Sequence, residues 1–88
     1  MIVKKALIVN TLGIHARPAT LVAQTAQRFE ADIIIEKDGL EVNAKSVMGV
    51  MMLVAGKGSE LTIRADGKDE EEAVAALLKL VEEGFGEE

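Results

Sequence analysis

From Ile2 to Val9 the chain alternates, with Val3, Lys5, Leu7 and Val9 interleaved with Lys4, Ala6 and Ile8, the period-two pattern of a strand with at least one buried face. Beyond Gly13 the period changes. Ala19, Val22, Ala23, Ala26 and Phe29 recur at helical spacing, and Pro18 falls in the first turn, where a missing N–H does little harm; a helix is predicted over about 16 to 28. Two short apolar runs follow, Asp32 to Lys37 and Leu40 to Asn43, joined by Asp38-Gly39, the pair that supplies positive φ to a tight hairpin. Ser46 is placed to cap a short apolar helix from Val47 to about Leu53, and Gly56 and Gly58 then break the chain into a loop. Leu61, Ile63 and Ala65 alternate with Glu60, Thr62 and Arg64 to give a fourth strand with one face in the core. Asp69 followed by Glu72 has the form of a capping box, and Val74, Leu77, Leu78, Val81 and Phe85 then mark a third helix ending near Gly84.

The order βαββαβα, with a hairpin and charged, alternating strands, predicts an α+β open-faced sandwich: a four-stranded antiparallel sheet with three helices on one face. At 88 residues the chain suffices for one core, so residues 1–88 are expected to form a single domain, with the acidic tail Glu82 to Glu88 prone to fray. So small a fold rarely walls a deep cleft, and a surface site is expected rather than an enclosed enzyme pocket.

Charge and composition narrow the chemistry. There is no cysteine and only one histidine, which leaves neither a disulfide framework nor a zinc site, and no metal or other cofactor is expected. The net charge of −5, with no basic and aromatic cluster, argues against nucleic-acid binding. The amino-terminal apolar run is far shorter than the about 20 residues of a membrane span and lacks a cleavage-like pattern, so a cytoplasmic location without membrane insertion is expected.

Within Gly13-Ile14-His15-Ala16-Arg17-Pro18, the sole histidine stands at the start of the first helix, where unpaired N–H groups and the helix dipole favour negative charge. A phosphoryl group on His15 would sit in that field. Arg17 adds a planar cationic fork for phosphate oxygens, and Pro18 holds the backbone of the turn. The same residues also fit a plain helix start with a surface charge. In the second helix, Val47, Met48, Val50, Met51, Met52 and Leu53 cannot all face one sheet. With Val50 and Leu53 inward, Val47, Met48 and Met51 would form an outer patch of adaptable apolar groups; the alternative is a wholly buried helix. Arg17, Thr20, Gln24 and Gln27 share one face of the first helix as a candidate polar rim, although a solvated face explains Gln27 as well.

The runs GIHARPATLVAQTA and KSVMGVMML, the length and the order of elements together resemble the HPr family, the histidine-containing phosphocarriers of the bacterial sugar phosphotransferase system. The resemblance spans the whole chain. It implies that His15 accepts, on Nδ1, a phosphoryl group originating from phosphoenolpyruvate and delivered by enzyme I, then passes it to IIA domains of sugar permeases, with Arg17 assisting. It favours the apolar patch, placed beside the histidine to dock donor and acceptor. The chain is then a phosphoryl carrier rather than an enzyme, and a monomer suits its shuttling.

The segment KSVMGVM is similar to Gram-positive members, which implies that Ser46, besides capping a helix, is phosphorylated by an HPr kinase/phosphorylase, the product binding a catabolite-control transcription regulator. Leu12 departs from the family pattern, in which a serine or asparagine often precedes the glycine, so a supporting hydrogen bond is missing. Three alternatives stay open: a nitrogen-related phosphotransferase carrier, a non-phosphorylated anion-binding regulatory module, and a structural interaction domain acting through the second helix.

Overall fold

The computed structural model describes residues 1–87, so the part of the tail formed by Glu88 lies outside the described residues. The elements are β1 (Ile2–Leu7), α1 (Ala16–Ala26), β2 (Asp32–Lys37), β3 (Leu40–Asn43), α2 (Val47–Met51), β4 (Glu60–Asp66) and α3 (Glu70–Glu82), followed by a 3₁₀ turn at Gly84–Gly86. The sheet is antiparallel throughout in the order β1-β4-β2-β3. Register places Ala6 opposite Leu61 and Ile35 opposite both Ile63 and Val42, so buried side chains line one face. Lys5, Thr62, Arg64 and Glu36 fall on the other. This is the open-faced α+β sandwich expected from the alternation.

One hydrophobic core gathers Ile8, Ile33, Ile35, Leu61 and Ile63 from the sheet side with Val22, Val50, Leu77 and Val81 from the helices. The third helix packs on β1 and β4, and α1 packs against both α2 and α3. The hairpin turn has the positive φ values its Asp-Gly pair predicts, 52° at Asp38 and 87° at Gly39, and the Glu36 carboxylate accepts from the Gly39 N–H at 3.1 Å.

Three local expectations need revision. Both apolar helices are shorter than their periodicity implies, α1 stopping at Ala26 and α2 at Met51. Asp69 stands at the N-cap of α3 without capping it. Its two oxygens instead accept from the Glu30 and Ala31 N–H groups, each at 2.9 Å, tying the start of α3 to the approach to β2. Phe85, which continues the spacing of α3, lies beyond it in a left-handed turn and is nonetheless buried. As far as Glu87, moreover, the tail is tied down by hydrogen bonds.

Candidate functional site at the start of the first helix

The segment from Asn10 to His15 leaves β1 and enters α1 through a turn locked on both sides. Gly13 N–H donates to Asn10 O at 3.2 Å, and Asn10 Nδ2 donates to Gly13 O at 2.8 Å. Ile14 N–H then donates to Ala55 O at 2.8 Å, stitching this turn to the loop that follows α2. Gly13 is required twice over. Its φ is 67°, and a Cβ there would run into Ala55 O and stand 2.7 Å from the Gly56 Cα. Asn10 is buried; its Oδ1 has no partner among the described residues.

The turn delivers His15 to the N-cap of α1, in extended backbone, with its side chain making no cap hydrogen bond. The ring is therefore not consumed in satisfying the helix. His15 O accepts from Ala19 N–H at 2.9 Å, Pro18 has no N–H, and Ala16 and Arg17 keep N–H groups without intrahelical acceptors. No acidic residue occupies the first turn of α1, so the positive end of its dipole is not offset from within the helix. The His15 side chain is 38% exposed. Its Nε2 lies 3.1 Å from both carboxylate oxygens of Glu87, whereas Nδ1 makes no side-chain hydrogen bond among the described residues. The hydrogen bond with His15 holds the Glu87 carboxyl below the ordinary carboxylate range, helped by Asn10 and by the charge of Arg17.

Arg17 is exposed on the first turn of α1, near enough for its charge to act on Glu87. Thr20 is half-buried and its hydroxyl donates to Ala16 O at 2.8 Å; Gln24 is exposed on the same helix. Gln27 has a structural contact, its amide donating to Lys45 O at 2.9 Å just before α2. On α2, Met48 is 75% exposed and Met51 is also exposed, while Val50 and Leu53 are buried. Val47 packs partly against the core. Met52, Val54 and Leu12 enlarge the exposed apolar area, Val54 in a left-handed conformation at φ 48°. Ser46 is the N-cap of α2, its Oγ accepting from Gly49 N–H at 3.0 Å.

Thus His15, Arg17, Thr20 and Gln24 are brought onto one helix that packs against the helix carrying Met48 and Met51. Sequence reading missed Asn10 and Glu87. Seventy-two residues separate Glu87 from His15, and no local period links them. Among the described residues no group of three His, Asp or Glu side chains converges as a metal-binding set, and no helix is long and apolar enough to cross a membrane. A polar depression lined by Lys5, Lys37, Ser59 and Thr62 shares no residue with the His15 site.

A small open-faced sandwich with one half-exposed histidine at an anion-friendly helix start presents that ring at the surface rather than within an enclosed pocket. Comparison with known proteins gives the chain its family. Residues 2–83 match the family model for the PTS HPr component phosphorylation site. The phosphocarrier protein HPr of Treponema pallidum is 47% identical over the full length of both chains, and the HPr-like protein Crh of Halalkalibacterium halodurans is 48% identical over 93% of this chain and 98% of its own. A crystal structure of HPr from Thermoanaerobacter tengcongensis superposes with a TM-score of 0.95 at 49% identity, covering 100% of this chain and 99% of that one. The chain belongs to the HPr family of phosphocarrier proteins of the phosphotransferase system.

Proposed function

We propose that this chain takes a phosphoryl group from enzyme I onto Nδ1 of His15 and passes it to IIA domains of sugar permeases, acting in the cytoplasm as a monomer without a cofactor. The observation that carries this reading is the state of the His15 ring: at the N-cap of α1, half-exposed, spared from capping, with Nδ1 unpartnered among the described residues. Phosphate on that ring meets the Ala16 and Arg17 N–H groups and the Arg17 guanidinium, which share its charge. Because the group is held at the surface, donor and acceptor proteins can each reach it in turn. Met48 and Met51, with the exposed part of Val47 and the polar rim of Thr20 and Gln24, form the surface on which both dock.

Regulation at Ser46 is the second part of the proposal. A cognate HPr kinase/phosphorylase adds phosphate to the Ser46 hydroxyl, and the product binds a catabolite-control transcription regulator. The N-cap geometry supports it, since an anion there faces the positive end of α2 while adding a charge of about −1.5 to −2 next to Val47 and Met48. Docking of enzyme I weakens without a change of fold.

Incubation with phosphoenolpyruvate and enzyme I tests the carrier directly. One acid-labile, base-stable phosphoryl group per chain is expected, and none on a folded His15→Ala variant. Stoichiometric labelling of that variant would remove His15 from the chemistry.

A further inference from the structure

The side of the His15 ring away from the transfer is closed by a carboxylate. Both oxygens of Glu87 lie 3.1 Å from Nε2, and Oε1 also accepts from Asn10 Nδ2 at 3.1 Å. An ionised carboxylate can only accept, so the nitrogen facing it carries hydrogen. A neutral imidazole has one N–H, and placing it on Nε2 leaves the lone pair on Nδ1.

The backbone route that brings Glu87 there is itself unusual. Gly84, Phe85 and Gly86 have φ of 66°, 58° and 74°, three successive left-handed residues that start one position beyond the C-cap of α3. For the two glycines this costs little. For Phe85 it is a disfavoured conformation, retained because the side chain is only 3% exposed and anchored in the core. Gly84 packs beside Asn10 and Val9, and Glu87 N–H donates to Gly84 O at 2.9 Å, so the turn is fixed where it meets the His15 loop. The charged groups acting on Glu87 are His15 and Arg17.

We infer that Glu87 is a positioning residue for His15: its carboxylate holds the neutral ring as the Nε2–H tautomer, presents the Nδ1 lone pair, and offsets the positive charge of the ring while phosphate is attached. The role in transfer rests on the carrier reading above. In accepting the group, the Nδ1 lone pair forms the N–P bond as the donor's bond to phosphorus breaks and its electron pair returns to the donor. No proton has to move. Nε2 keeps its hydrogen, the ring is cationic while phosphorylated, and onward transfer returns the N–P electron pair to Nδ1. Were Glu87 merely tying the tail to Asn10, the ring tautomer would not depend on its charge.

Nitrogen-15 NMR of the neutral imidazole, recorded on the unphosphorylated full chain at alkaline pH, reads the tautomer without any phosphoryl donor. Wild type is expected to show a pyridine-type Nδ1 and a pyrrole-type Nε2. In Glu87→Gln, which keeps the size of the side chain, the two resonances move toward each other, because an amide can donate to Nε2 as well as accept from it. Glu87→Ala serves as the variant without any partner and is expected to mix the tautomers too. Phosphorylation by enzyme I should slow about tenfold in Glu87→Gln while circular dichroism shows the chain still folded at the assay temperature, the low end of what losing a carboxylate partner costs a metal-ligating histidine. Unchanged ring resonances in both variants overturn the inference, whether or not transfer slows; so does an unaltered transfer rate in a variant whose tautomers have mixed. Should wild type take no label from enzyme I, the carrier reading falls, and the ring resonances still decide whether Glu87 sets the tautomer.

Discussion

Arg17 and Gly13 flank His15 and serve it in different ways, one by charge and the other by its lack of a side chain. Arg17 is exposed and forms no salt bridge among the described residues, so little folding stability depends on it. Its charge becomes valuable when phosphate arrives. Arg17→Ala is accordingly expected to slow transfer to and from His15 by roughly tenfold, the equivalent of a charge-assisted hydrogen bond, while stability changes by less than about 1 kcal/mol. Rapid-quench kinetics and thermal melts check the two halves, and unchanged transfer in both directions would exclude Arg17 from the mechanism. Gly13 behaves oppositely. Gly13→Ala forces a Cβ against Ala55 O and Gly56 at a positive φ, and is expected to cost about 2 kcal/mol or more in denaturant unfolding. A shift of the Ile14–Ala55 hydrogen bond would accompany it and disturb His15. A cost within 0.5 kcal/mol, roughly the range of neutral surface changes, would contradict this reading of the turn.

At the scale of elements, what was legible in the sequence depended on whether the deciding interaction was local. The β2–β3 hairpin was predicted with its observed bounds because Asp38-Gly39 dictates the turn and the alternation dictates the register. Ser46 was likewise readable as an N-cap, since capping reaches only three residues ahead. Asp69 has the same local signature, yet its carboxylate serves Glu30 and Ala31, groups 39 and 38 residues away that no spacing rule reveals. Gly84 was legible as the stop of α3, but not the path beyond it: Phe85 is apolar and at the spacing of that helix, and the glycines on either side let it reach the core from a left-handed turn instead. Glu87 was invisible because that turn delivers it to a partner 72 residues away in sequence. The cap of α2 offers a direct comparison. Ser46→Ala removes the acceptor for Gly49 N–H and should cost about 1 kcal/mol, whereas Ser46→Asp preserves a cap and should stay within about 1 kcal/mol of wild type. Only the aspartate brings charge beside Val47 and Met48. Calorimetric titration with enzyme I should therefore show weaker binding for Ser46→Asp than for Ser46→Ala, and equal affinities would refute charge-based regulation at this helix.

For the whole molecule, the response to pH follows from carboxylates that are better satisfied in the folded state. The Glu30 N–H holds Asp69 below its ordinary value, the Gly67 N–H does so for Glu70, and the His15 ring does so for Glu87. A depressed folded value means that the unfolded chain binds protons more tightly. The stability these groups contribute is present above about pH 5, past the unfolded carboxylate values near 4, and is lost as the pH falls through the folded ones. The Met1 ammonium has the opposite sign. Glu70 accepts from it and raises its value, so its contribution is present below the unfolded value of about 8 and fades as the pH rises through the folded one. Melting temperature should thus plateau between about pH 5 and 7.5, with the acid limb lying lower and shallower in Asp69→Asn than in wild type. A melting temperature that rises from pH 5 to pH 3 would contradict these assignments.

The central claim is that His15 both receives and releases a phosphoryl group, and an onward chase tests it most directly. Chain labelled by phosphoenolpyruvate and enzyme I is freed of enzyme I and mixed with a IIA domain, and the phosphate on each protein is followed by intact mass. The expected result is loss of label from this chain in step with its gain by the IIA domain, with no label to transfer in His15→Ala. Label that stays on the folded chain in the presence of the IIA domain, or that moves equally well from His15→Ala, would contradict a carrier acting through His15.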